Sequence, residues 1–123
     1  MYELRVKEHF DAAHFIEDYP GKCSREHGHR WDVEVLLEGK TLGGLNMLVD
    51  FGEVKRLLKV LIDERLDHYQ LNKSLGERCV TAEFLARWFY AWLAEPCTQF
   101  EPEVKLVCVT IWESPECGVT YSE

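Results

Sequence analysis

Two stretches of this chain alternate apolar and polar residues, and residues 15–26 separate them. Segment 2–14 carries Tyr2, Leu4 and Val6 on one parity, continued by Phe10, Ala12 and His14. Segment 27–38, "HGHRWDVEVLLE", puts His27, His29, Trp31, Val33 and Val35 on one side. A period of two is the signature of a strand with one face in a core. Two such strands joined by a long loop are expected to pair as a hairpin. Most other possibilities for a chain this short then fall away.

The helices come next. Asp50 is placed to cap "FGEVKRLLKVLIDERL", with Phe51, Val54, Leu57, Leu58, Leu61 and Ile62 as its apolar stripe. Thr81 is placed to cap "AEFLARWFYAWLAE", Glu83 suits the positive end of that helix, and Pro96 is expected to stop it. "VKLVCVTIWE" and "GVTYSE" read as closing strands, and "EGKTLGGLN" as the likeliest hairpin-like connection. Strands and helices segregated in this order predict an α+β fold. The 123 residues are expected to form a single domain, 1–123. A small sheet leaves two open edges, and oligomerisation is one way to cover them.

Composition excludes some functions. A net charge of -8 argues against a nucleic-acid partner, which requires a basic face. No apolar run is long enough for a membrane-spanning helix. "MYELRVKEHF" does not read as a signal peptide. Cys23, Cys79, Cys97, Cys108 and Cys117 are odd in number and irregularly spaced. That pattern points to reduced thiols and a cytoplasmic location. Cys108, inside a strand, is expected in the core.

His27 and His29 share one side of a strand, and His14 holds the matching parity on its neighbour. Three imidazoles with no fourth protein ligand form the pattern of a catalytic zinc site with an open position. An HxH pair alone also fits two exposed strand histidines. Cys23, four residues before His27, has three readings: fourth ligand, reactive thiolate, or ordinary cysteine. Asp67 and His68 in "LDHYQLN" are a carboxylate placed to orient an imidazole, or a helix end with its histidine against the dipole. Glu113, at the end of a β run, suits a guanidine-like edge with two N–H donors, as a pterin or guanine ring presents.

Taken together these pieces resemble the 6-pyruvoyltetrahydropterin synthase and 6-carboxytetrahydropterin synthase family. The resemblance rests on "FDAAHF", "CSREHGH", "LVDFGEVK", "LDHYQLN", "TAEFLARW" and "WESPECGVTY", in that order, over nearly the whole chain. It implies a T-fold subunit, a four-stranded antiparallel sheet with two helices on one face. It implies a homohexamer, two stacked trimers, with active sites between subunits. By resemblance, His14, His27 and His29 hold Zn2+, and Cys23 is the proton-abstracting base. His68 and Asp67 support it from a neighbouring subunit. Glu113 anchors the pterin ring, with Thr81 also at the substrate. The implied substrate is a small pterin triphosphate, 7,8-dihydroneopterin triphosphate.

The short CxxxHGH spacing looks like the carboxy branch, which releases triphosphate and acetaldehyde and serves queuosine-type 7-deazapurine synthesis. The pyruvoyl product is the alternative, and a non-catalytic pterin- or purine-binding protein is a third reading. A cysteine at position 23 argues against the relatives that use glutamate there. Two departures stand out. Glu26 directly precedes His27, and the loop "FIEDYPGKC" is acidic for a triphosphate site. Phosphate-binding cations are then expected from Lys22, Arg25, Arg30 or another subunit.

Overall fold

The computed structural model describes residues 1–123. Its elements are β1 (Tyr2–His14), β2 (His27–Gly39), α1 (Phe51–Arg65), the single turn α2 (Leu71–Ser74), α3 (Ala82–Cys97), β3 (Lys105–Ser114) and β4 (Cys117–Tyr121). The strands form one antiparallel sheet in the order β1-β2-β3-β4.

β1 and β2 pair without a break from Tyr2↔Gly39 to His14↔His27. The expected parity holds. Val6, Phe10, Ala12 and His14 are buried on β1, as are Trp31, Val33, Val35 and Leu37 on β2. This face packs against the helices in one core that also takes Leu58, Leu85, Phe89 and Leu93. Each such side chain, once fully buried, contributes about 1.5–3 kcal/mol. Phe10 stacks on Trp31 at 6.1 Å and meets Phe89 of α3 at 6.2 Å.

The capping residues act as their sequence positions suggest. Asp50 accepts a hydrogen bond from the Gly52 N–H at 2.7 Å, and Thr81 accepts one from the Phe84 N–H at 3.1 Å. Caps of this kind are worth about 1 kcal/mol each. Val54, Leu58 and Ile62 form the buried stripe of α1, while Phe51 is exposed.

Three expectations need correction. Pro96 does not stop α3, which runs to Cys97. The proline removes only its own N–H, and the Thr98 N–H still reaches the Glu95 carbonyl at 3.0 Å. "EGKTLGGLN" is not a hairpin between strands: it leads from β2 into α1, and the tight hairpin is Ser114–Cys117 between β3 and β4. Cys108 is half-buried, not core. It pairs with Leu36 beside a bulge at Val107, which lets Leu106, Val109 and Ile111 all face inward and turns Cys108 to the other side. All five cysteines are free thiols. No helix is long and apolar enough to cross a membrane.

Candidate active site

The site grows out of one end of the β1–β2 ladder. His14 ends β1 directly opposite His27, which begins β2, and His29 lies two residues further on the same side. Ring centroids stand 4.4 Å apart for His14 and His27, 5.1 Å for His14 and His29, and 4.8 Å for His27 and His29. Trp31 lies beneath, its ring 4.8 Å from His14 and 5.4 Å from His29. The indole N–H donates to the Ala12 carbonyl at 3.3 Å, which fixes that floor.

Backbone carbonyls set the imidazole tautomers. His14 Nδ1 is 2.7 Å from the Val80 carbonyl, and His27 Nδ1 is 2.7 Å from the Arg25 carbonyl. A carbonyl only accepts, so each Nδ1 carries a proton, and in the neutral ring Nε2 holds the free lone pair. The Nε2 atoms of His14 and His29 are buried and make no well-aligned hydrogen bond, although a carboxylate oxygen of Glu113 stands close to that of His29. Burial holds the His14 and His29 pKa values below the usual histidine value; for His14 the Val80 hydrogen bond opposes this, and for His29 the Glu113 carboxylate does. Neutral imidazoles with unused ring nitrogens are what a metal ion requires. The residues therefore fit the zinc that the sequence suggests.

Glu113 joins this cluster. Its Oε1 lies 2.9 Å from His29 Nε2 and 3.7 Å from His14 Nε2. The ligand atoms of His14, His27, His29 and Glu113 all lie within 4.8 Å of one another. A bulge is responsible. Trp112 pairs with Gly118, Ser114 pairs with Cys117, and Glu113 is the extra residue between them. Such bulges re-aim a side chain. The sequence expects Glu113 to face a pterin-like ring edge and carries no sign of its approach to the histidines. The Ser-Pro after it marks a strand end, but nothing in the residue types announces a bulge.

Cys23 sits in a 3-10 turn, Lys22–Ser24, and is half-buried. Its carbonyl accepts from the Ile16 N–H at 2.7 Å, which ties the loop across itself. The thiol is not among the four groups that close on one another. Lys22 and Arg25 flank it and are exposed, as is Glu26.

Asp67 and His68 form a pair of their own, with Asp67 Oδ2 3.0 Å from His68 Nδ1. Asp67 Oδ1 also accepts from the Asp11 N–H at 3.0 Å, and this hydrogen bond lowers the Asp67 pKa. The His68 N–H donates to the Asp11 carbonyl at 2.7 Å. The pair is thus stitched to the open edge of β1. The His68 side chain is 79% exposed, and no hydrogen bond joins it to Cys23 of the same chain. His68 and Arg30 line a common hollow with Asp11 and Tyr69. Thr81 uses its hydroxyl oxygen to cap α3, one residue after the Val80 carbonyl that holds His14.

Comparison with known proteins identifies the family. The sequence pattern of the family described as 6-pyruvoyl tetrahydropterin synthase matches residues 3–123. A 6-carboxy-5,6,7,8-tetrahydropterin synthase of Synechocystis sp. is 41% identical over 99 residues, covering 77% of this chain and 77% of that protein. The protein of the same name from Aquifex aeolicus is 33% identical, covering 91% and 83%. Among solved structures, Caenorhabditis elegans 6-pyruvoyl tetrahydropterin synthase superposes with a TM-score of 0.84 at 25% identity, covering 99% of this chain and 95% of that one. The sheet and its helices are the T-fold of these structures. The chain belongs to the 6-pyruvoyl tetrahydropterin synthase family.

Proposed function

We propose that the protein converts 7,8-dihydroneopterin triphosphate, with the uptake of one water, to 6-carboxy-5,6,7,8-tetrahydropterin, releasing triphosphate and acetaldehyde. The observation that carries this reading is the cluster of three imidazoles over Trp31, with the Nδ1 of His14 and His27 tied to backbone carbonyls and the Nε2 of His14 and His29 buried. The names of the curated relatives support the carboxy product. So does the short Cys23-to-His27 spacing.

His14, His27 and His29 hold a zinc ion. Bound there, it supplies Lewis acidity toward the oxygens of the substrate side chain. Cys23 removes a proton from a side-chain carbon of the substrate. Asp67 orients His68, and the pair supports Cys23 of a neighbouring copy, which suits its exposure at the edge of β1. Glu113 receives the ring N–H groups of the pterin, and Thr81 lies beside it at the substrate. Lys22, Arg25 and Arg30 are the cations nearest these groups in sequence for the triphosphate. Subunits assemble as a homohexamer, a dimer of trimers, which covers the open edges of β1 and β4. The product serves queuosine-type 7-deazapurine synthesis in the cytoplasm.

The pyruvoyl product is the second reading, favoured by the close superposition on the Caenorhabditis elegans enzyme. Mass analysis of products from zinc-loaded protein separates the two. A 6-carboxy product supports the proposal. A 6-pyruvoyl product supports the alternative, and bound but unconverted substrate points to a binding protein.

A further inference from the structure

Besides the aromatic residues, two polar residues are buried, His14 at 1% exposure and Asn72 at 8%. His14 belongs to the metal cluster. Asn72, the last residue of "LDHYQLN", has no place in the mechanism above. Its hydrogen bonds lead back to the same site. Asn72 Oδ1 accepts from the Phe15 N–H at 3.0 Å. Asn72 Nδ2 donates to the Phe15 carbonyl at 2.9 Å and to the Arg78 carbonyl at 2.8 Å. Both amide protons are used, and Gln70 Nε2 approaches the oxygen at 3.5 Å. The carboxamide is fully satisfied, which a buried polar group requires.

These partners are specific. Phe15 directly follows His14, and its N–H and C=O both bond to the one carboxamide, much as a neighbouring strand would hold them. This fixes the backbone where β1 has already ended. Arg78 begins the segment whose Val80 carbonyl takes the His14 Nδ1 proton. Ile16, one residue beyond Phe15, bridges to Cys79 and gives its N–H to the Cys23 carbonyl. Asn72 thus ties together the backbone that carries His14, the segment that sets its tautomer, and the loop that carries Cys23. The Arg78 side chain adds an ion pair to Glu17 at 3.0 Å, but this lies on the surface and contributes little.

We infer that Asn72 is a positioning residue for the metal site: it holds His14 and the Val80 carbonyl in register so that His14 presents an unprotonated Nε2. The inference rests on the metal reading of the three histidines. Removing the carboxamide leaves the Phe15 N–H and carbonyl without partners and the Arg78 carbonyl with only the Glu17 N–H at 3.4 Å. The two segments then shift against each other, and His14 loses its fixed tautomer. Outer partners of metal-bound histidines typically govern metal affinity by 10–100-fold.

The test uses metal-free protein titrated with Co2+ by visible absorption, together with the imidazole Nδ1–H proton of His14 in NMR spectra. That resonance is assigned by its absence in His14→Ala. Asn72→Ala and Asn72→Ser are compared with Leu93→Ala, a core substitution near the far end of α3 chosen as a stability control. The Asn72 variants are expected to bind Co2+ about tenfold more weakly and to lose or shift the resonance. Leu93→Ala is expected to lower the melting temperature yet leave both readouts unchanged. Should Asn72→Ala not fold, Asn72→Ser carries the comparison. Wild-type affinity and an unmoved resonance in a folded Asn72 variant overturn the inference. So does an equal loss in Leu93→Ala, which would mean that affinity merely follows stability. If the wild type binds no Co2+, the metal reading fails, and the His14 resonance alone decides whether Asn72 sets the tautomer.

Discussion

His14 at the end of β1 gives its Nδ1 proton to the Val80 carbonyl at 2.7 Å, across 66 positions of sequence. This one hydrogen bond connects the sheet to the entry of α3 and leaves Nε2 of a fully buried histidine without a partner. Nothing in the core has a use for that lone pair. A metal ion shared with His27 and His29, as proposed, would account for it.

Replacing His14 or His27 with alanine is therefore expected to remove the metal. Losing an outer partner of a ligand costs 10–100-fold in affinity, so losing a ligand should cost on the order of 100-fold or more. Metal analysis after dialysis against a weak chelator checks this. Wild-type zinc content in either variant contradicts the assignment.

Cys23→Ala is expected to separate metal binding from turnover. Its thiol lies outside the cluster of four ligand atoms. Zinc content should stay at the wild-type level, while the rate falls by roughly 10²- to 10⁴-fold, the usual worth of a general base. Zinc lost together with activity would make Cys23 a ligand instead.

The exposed Asp67–His68 pair predicts complementation between subunits. Cys23→Ala and His68→Ala proteins, each inactive alone, should regain activity when dissociated and reassembled together. If subunits mix at random, about a quarter of the wild-type rate is expected. No recovery in demonstrably mixed oligomers would place the pair and the thiol in separate roles.

Gly118 faces the Trp112 ring so closely that an added Cβ would sit 2.6 Å from Cε3. Gly118→Ala should overpack the β3–β4 hairpin and cost roughly 1–3 kcal/mol. Trp112 directly precedes the bulged Glu113, so KM for the pterin should rise as well. Thermal melts and steady-state kinetics read the two effects, and unchanged values of both contradict the contact.

Asp67 gives the pH prediction. Its folded pKa lies below the ordinary 3.8, chiefly through the Asp11 N–H. The ionised form is favoured by folding, so the unfolded chain binds more protons as pH drops through the ordinary value. The stabilisation is present above about pH 4 and is lost below it. Asp67→Asn should remove that part of the acid sensitivity. Melting temperatures of the two proteins from pH 3 to 6 should converge toward the acid end; parallel curves contradict this.

Much of the site was legible because strands have a period of two. Once residues 2–14 and 27–38 are taken as paired strands, parity alone brings His14 toward His27 and His29. The helix caps Asp50 and Thr81 were equally readable, because short polar side chains before apolar periodic runs have few other uses. Glu113 was harder. A bulge inserts one unpaired residue, and which residue it inserts depends on the partner strand. Cys108 is expected in the core only because it lies inside a strand; the bulge at Val107 decides which side of the sheet it takes, and it turns away from Val109 and Ile111. The Val80 carbonyl and Asn72 act through backbone groups far away in sequence, which no local pattern records.

The most direct measurement is acetaldehyde released per molecule of 7,8-dihydroneopterin triphosphate consumed, by protein stripped of metal and then reloaded with zinc. One acetaldehyde per substrate is expected with zinc restored, and none in the stripped protein. Full zinc occupancy with no acetaldehyde would contradict this.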